Sequence, residues 1–220
     1  VALGHRALLT NTTASNNTAV GYDSLKLNTT GASNTAVGKN VLFSNTTGGF
    51  NVGLGSDAFY GNTTGASNVA VGDNALQGNT TASFNTAVGR QALALNTTGG
   101  SNIGIGHQAL YTNTTGASNV SIGHGSLYNS TTASNNTAVG YFSLLSNTTG
   151  TRNTAVGSNA GDGITTGSYN SLFGVHAGSG ITTGAVNCAF GDYTLAANTT
   201  ASYNSAFGQA AMGQTTTGAN

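Results

Sequence analysis

One period governs this chain: a 17-residue unit recurs thirteen times without an insertion or deletion. An Asn opens each unit at Asn17, Asn34, Asn51, Asn68 and every seventeenth residue up to Asn204, and the first unit lacks only that Asn. An unbroken period of this length marks a stacked, quasi-one-dimensional architecture, because one such unit cannot bury an apolar face alone and must cover it with its neighbours. The same regularity bears on function. Catalysis needs unlike residues at one point, whereas a repeated unit presents like residues in rows.

The unit reads N-T-A-V-G-x-x-A-L-x-x-N-T-T-G-A-S. Position 4 is apolar in all thirteen units, among them Leu3, Val20, Leu54, Ile105, Phe173, Phe190 and Phe207. Position 2 is Thr, Val, Ile, Ser or Cys, and position 3 is mostly Ala or Gly. This alternation of period two, rich in β-branched residues, predicts a strand. Position 5 is Gly throughout, as at Gly21, Gly38 and Gly55, which predicts a left-handed or closely approached corner. A second short strand is expected over positions 7 to 10, anchored at position 9 by residues such as Leu25, Leu42 and Phe59. No apolar pattern at i, i+3 and i+4 supports a helix.

The expected fold is therefore all-β: a parallel β-solenoid, or β-roll, of thirteen coils with two short strands per coil. Residues 1–220 form a single array, in which 153–220 is a variant sub-block. Backbone hydrogen bonds run along the long axis at about 4.8 Å per coil, giving a rod of about 60 Å. Identical residues then stack, so Asn17, Asn34, Asn51 and Asn68, the corner glycines, and the Thr pair at positions 13 and 14 (Thr29 and Thr30 in one unit) are expected to form structural ladders. Two internal features agree. In the units opening at Asn153 and Asn170, the position-9 Leu becomes Gly161 and Gly178 while the position-12 Asn becomes Ile164 and Ile181, an exchange that a shared interior requires to avoid a cavity. Every charged residue falls at position 6, 7, 10 or 17, and Arg6 with Asp23 and Asp73 with Arg90 oppose each other on adjacent coils.

Composition removes several function classes. Five Lys and Arg give no basic patch for nucleic acid. No apolar run approaches the roughly 20 residues of a membrane span, so no membrane insertion is expected. The chain does not begin with Met and reads as a slice of something longer. Cys188 replaces Thr, Val or Ser at position 2 and is read as a small core-facing residue. His107 and His124 share position 6 of consecutive units, near enough to share a metal, but that position also holds Tyr22, Lys39, Asp73 and Arg90 and reads as an exposed corner. With no Glu and no Asp ladder, no acid–base constellation emerges. No enzyme activity, cofactor or metal is expected. Asn-Thr-Thr matches the glycosylation sequon at Asn11, Asn28, Asn45 and six later sites, and the reading preferred here is a structural turn. Tyr22, Phe43, Tyr60, Tyr111 and Tyr128 are the candidate surface-recognition residues, for glycan stacking or for an inter-chain face.

Two apolar side chains per coil make a thin core, and the small residues at positions 3 and 8 (Ala19, Ala36, Ala58, Ala75) are expected to offer flat faces on which several chains pack. The runs Asn17-Thr18-Ala19-Val20-Gly21, Asn34-Thr35-Ala36-Val37-Gly38 and Asn136-Thr137-Ala138-Val139-Gly140 resemble the repeat arrays of phage tail fibres and the head repeats of trimeric autotransporter adhesins. The resemblance spans the whole chain. It implies a homotrimeric shaft or adhesive head, on a virion appendage or a cell surface, although the adhesin unit is commonly shorter than 17 residues. The expected function is a non-catalytic structural segment of an extracellular fibre whose partner is itself. The alternatives are a self-polymerising matrix filament, a module binding a host-surface glycan or receptor, and an ice-binding solenoid, against which the adjacency of Thr12 and Thr13 argues.

Overall fold

A computed structural model describes residues 1–214 and Thr216. Thr217 of the thirteenth Thr-Thr pair and the closing Asn220 lie outside the described residues. Each unit contributes one short strand, formed by unit positions 2 to 4. The strands are β1 (Ala2–Leu3), β2 (Thr18–Val20), β3 (Thr35–Val37), β4 (Val52–Leu54), β5 (Val69–Val71), β6 (Thr86–Val88), β7 (Ile103–Ile105), β8 (Val120–Ile122), β9 (Thr137–Val139), β10 (Thr154–Val156), β11 (Ser171–Phe173), β12 (Cys188–Phe190) and β13 (Ser205–Phe207). They form one parallel sheet in sequence order, each pairing with the next at an offset of one unit, so that Thr18 lies opposite Thr35 and Val20 opposite Val37. The chain is thus an all-β parallel solenoid.

The coil opening at Asn34 shows how the backbone is satisfied. The amides of Thr35, Leu42, Ser44 and Thr46 donate forward to the carbonyls of Asn51, Ala58, Tyr60 and Thr63. Those of Gly38, Asn40 and Phe50 donate back to Val20, Tyr22 and Ala32. Nearly the whole coil, not only its strand, is stitched to both neighbours, which answers the requirement that buried main-chain groups find partners.

The second strand expected over positions 7 to 10 is absent. That segment is a series of turns in which positions 7 and 9 have left-handed φ, as at Asn40 (54°) and Leu42 (52°). Left-handed residues at alternate positions point successive peptide groups toward opposite ends of the rod. The amide of Asn40 therefore faces the preceding coil and that of Leu42 the following one, without an extended backbone. A non-Gly residue in this region costs roughly 1–2 kcal/mol. The inter-coil hydrogen bonds and the burial of the position-9 side chain hold it there.

The interior is built from small residues. Ala19, Ala36, Ala70 and Ala87 at position 3, and Ala58, Ala75 and Ala92 at position 8, are fully buried around the position-9 row of Leu25, Leu42, Phe59 and Leu76. This corrects the expectation that positions 3 and 8 form flat contact faces for other chains. They are the core, packing beside the position-9 row in the narrow interior, where most units carry a small residue at positions 3 and 8. Cys188 is corrected too: in the period-two strand its neighbour Ala189 points inward, and the thiol lies half-buried on the outward face.

The corner glycine is obligatory on two counts. Gly21 and Gly38 have φ of 132° and 134°, and a Cβ on Gly21 would lie 2.2 Å from the carbonyl oxygen of Gly38. The exchange in the variant block is also a matter of space. Ile164 and Ile181 are fully buried, Leu172 replaces the usual Ala at position 3, and a Cβ on Gly161 would sit 2.7 Å from Leu172. Three large side chains occupy the volume that two leucines leave.

Candidate functional site

Two sets of rows are candidates for function: polar ladders within the rod and apolar or aromatic rows outside it. The position-1 ladder is buried and continuous. The side-chain oxygen of Asn17 accepts the Asn34 amide at 2.8 Å, Asn34 does the same for Asn51 at 2.9 Å, and Asn51 for Asn68 at 3.1 Å. From Asn17 to Asn187 each side-chain amide also donates to the position-15 carbonyl of its own coil, as Asn34 does to Gly48 at 2.8 Å. A parallel ladder at position 12 links Nδ2 of Asn28 to Oδ1 of Asn11 at 2.9 Å and Nδ2 of Asn45 to Oδ1 of Asn28 at 2.7 Å. Asn suits both rows because one side chain carries a donor and an acceptor, and each rung needs both. The position-12 ladder breaks where the residue type changes. Ser130 interrupts it and leaves Oδ1 of Asn113 and its own Oγ without partners, and Ile164 leaves Oδ1 of Asn147 without one. Burial of the position-12 side chains in this ladder, complete at Asn28, Asn45 and Asn62, makes them poor sugar acceptors in the folded chain.

The Thr pair divides its roles. The hydroxyl of Thr29 donates to the carbonyl of Thr46 at 3.0 Å, and this rung recurs along position 13. Thr30 contributes its backbone amide to the same carbonyl, and its side chain is exposed.

The candidate recognition residues do not converge on one patch. Tyr22 stands at a position-6 corner, stacked on His5 with ring centroids 5.2 Å apart and hydrogen-bonded to Arg6. At position 10, Phe43 stacks on Tyr60 at 5.0 Å and Tyr111 on Tyr128 at 5.2 Å, with Gln77 and Ala94 separating the two pairs. His107 and His124 also stack, with their Nδ1 atoms 3.2 Å apart. Burial, reinforced by His124 and by the positive charge of Arg90, holds the His107 imidazole below its ordinary pKa. At the first corner, burial would raise the Asp23 carboxyl, but two 2.7 Å bonds from Arg6 and the nearby Lys26 outweigh that effect and hold it below the usual range.

The outward sheet face is the feature that sequence reasoning missed. Side chains at positions 2 and 4 point away from the core, and none of them is buried among the described residues. Leu54 is 46% exposed, Ile105 38% and Phe190 48%, although position 4 never departs from an apolar residue. No charged residue enters either row. Exposed aromatic and aliphatic residues also occur at positions 17 and 6, including Phe50, Phe84, Tyr141 and Val175, alongside charged residues such as Asp73, Arg90 and Arg152. The signal was present in the sequence: a row that is apolar in every unit beside a row of mostly Ala gives two faces of different size, and a thin coil takes the smaller inside.

The fold defines the class, a parallel β-solenoid of 17-residue coils. No family model, curated protein or solved structure matches the chain.

Proposed function

We propose that this chain is a non-catalytic segment of an extracellular fibre, of the tail-fibre or adhesin-head kind, in which three copies pack side by side into a stiff rod. The observation that carries the reading is the outward face of positions 2 and 4. A row that stays aliphatic or aromatic in thirteen of thirteen units, yet stays wet in the single chain, is explained by a partner that covers it. Its length of about 60 Å and width of three to five residues amount to roughly 600–1,000 Å² per copy, within the range of a specific interface. The partner is the chain itself, because only another solenoid repeats at the same spacing along the whole strip.

A glycan-binding role at Phe43, Tyr60, Tyr111 and Tyr128 is less well supported. In each pair the two rings spend one face on each other, which leaves only the outer faces for a sugar. Sedimentation equilibrium of the purified chain tests the fibre reading. The expected mass is three times 21.6 kDa, with uniform short rods in negative-stain images. A monomer at every concentration would refute it.

A further inference from the structure

Side-by-side packing of repeats carries a difficulty: every coil resembles the next, so two copies displaced by one coil, about 4.8 Å, would keep most of their contacts. The outward face changes character in its last three strands. From β1 to β10 the rows at positions 2 and 4 are balanced in size, as in Thr18 with Val20 or Ile103 with Ile105. In β11, β12 and β13 they become unequal: Ser171 with Phe173, Cys188 with Phe190, and Ser205 with Phe207. The three Phe rings stack at 4.6 and 6.1 Å into one ridge, exposed by 68% at Phe207, and the small residues beside them form a trough.

Resting on the side-by-side reading above, we propose that this ridge and trough are a register key between copies of the chain. A rotation axis parallel to the rod, twofold or threefold, brings position 4 of one copy against position 2 of the next at the same height. The Phe ridge of each copy then seats in the Ser/Cys trough of its neighbour. An antiparallel arrangement instead sets position 4 against position 4 with heights reversed, placing the ridge on the Leu3 end, where no trough exists. A slip of one coil drives a ring onto β-branched Thr154 and leaves one trough position empty. The key therefore selects parallel, in-register copies.

The test uses spin labels outside the face, in a Cys188→Ser background that keeps the trough small. Labels go on Thr98→Cys and, separately, Thr183→Cys, both exposed at position 14. Pulsed dipolar spectroscopy should return the same narrow distance at both heights. The triple variant Phe173→Val, Phe190→Val, Phe207→Val should broaden each distribution through axial offsets in steps of about 4.8 Å. Filling the trough with Ser171→Val and Ser205→Val should do the same by a different change. These residues face outward, so circular dichroism should match the parent. Distances that stay narrow in both variants overturn the key while leaving side-by-side packing intact, and a longer distance at Thr183→Cys than at Thr98→Cys overturns the parallel arrangement. Absence of dipolar coupling at any concentration overturns the packing itself.

Discussion

Replacing Asn68 by Ala removes one rung of the buried ladder, and the structure fixes what is lost. Oδ1 of Asn68 is the partner of the Asn85 amide at 2.8 Å, and no other acceptor serves that N–H. Nδ2 donates to the Ala82 carbonyl at 2.9 Å and to Oδ1 of Asn51 at 3.1 Å. The damage to these last two is limited, since Ala82 keeps a bond from Asn79 and Asn51 keeps the Asn68 backbone amide. One wholly orphaned buried donor costs about 1–3 kcal/mol, and the lost bond to Ala82 adds about 1 kcal/mol, so Asn68→Ala should destabilise by about 2–4 kcal/mol. A stacked array need not unfold in one step. The decisive readout is therefore local: native-state hydrogen exchange at Asn85 should accelerate about 30- to 700-fold, at 1.4 kcal/mol per decade. Urea denaturation should show a lowered midpoint. Thr30→Ala is the control, because that residue is exposed and its hydroxyl makes no hydrogen bond among the described residues, so its effect should stay within about 0.5 kcal/mol. If Asn85 exchanges at the parent rate in Asn68→Ala, the Asn row does not hold the coils together and the ladder argument fails.

Three further outcomes are expected. Gly72→Ala, at φ 134° with its new Cβ 2.6 Å from the Gly89 carbonyl oxygen, should lose roughly 2–4 kcal/mol in urea unfolding, from strain and collision together. Ser130→Asn should raise the thermal midpoint, gaining about 1 kcal/mol, because it reconnects the position-12 ladder between Asn113 and Asn147, where the serine is too short to reach. The Asp23 carboxyl has a folded pKa below its unfolded value, so its contribution is complete above the unfolded pKa and disappears as pH falls through the folded one. Acid titration followed by NMR should find Asp23 below the usual carboxylate range, and Arg6→Gln should return it toward that range.

The period, the parallel register and the stacking of like residues were legible because they depend only on the spacing of identical letters. The corner at Gly21 was legible because a Gly kept in every unit of a repeat points to a backbone conformation or close approach that other residues do not tolerate. Two things were not. Alternation of period two separates a strand into two faces without saying which is inside. Hydrophobicity pointed to Val20 and Leu54, whereas the strand turns the smaller Ala19 and Gly53 inward. The left-handed turn at position 9 left little trace because Leu and Phe have no preference for that region, whereas position 7 carried a signal that was overlooked in Asp23, Asn40, Asp57, Asn74 and Asn159, residue types that enter it more readily. At position 9 the inter-coil hydrogen bonds imposed it, and Gly161 and Gly178 are the places where the residue type concedes it. Of the candidate recognition residues, Tyr22 and Tyr60 are exposed and Phe43, Tyr111 and Tyr128 half-buried, and the separation of the position-10 rings into stacked pairs depends on which coils carry aromatics, which the consensus averages away.

The direction of the hydrogen bonds has a mechanical consequence. Because they run along the rod, coils under axial tension are in series, and each coil-to-coil interface bears the full load. A single chain would open at its poorest interface, and the orphaned atoms at Asn113, Ser130 and Asn147 mark where the position-12 ladder contributes least. Neighbouring copies change this only if corresponding interfaces stand at the same height. In the trimer proposed above, in-register copies would place three equal interfaces in parallel at each level, and the apolar strip would have to shear before any one of them opened. Copies displaced by a coil would leave an unsupported level at each end. An outward row held apolar at all thirteen levels, with one block that distinguishes its levels from the rest, is what load sharing between the proposed side-by-side copies would use.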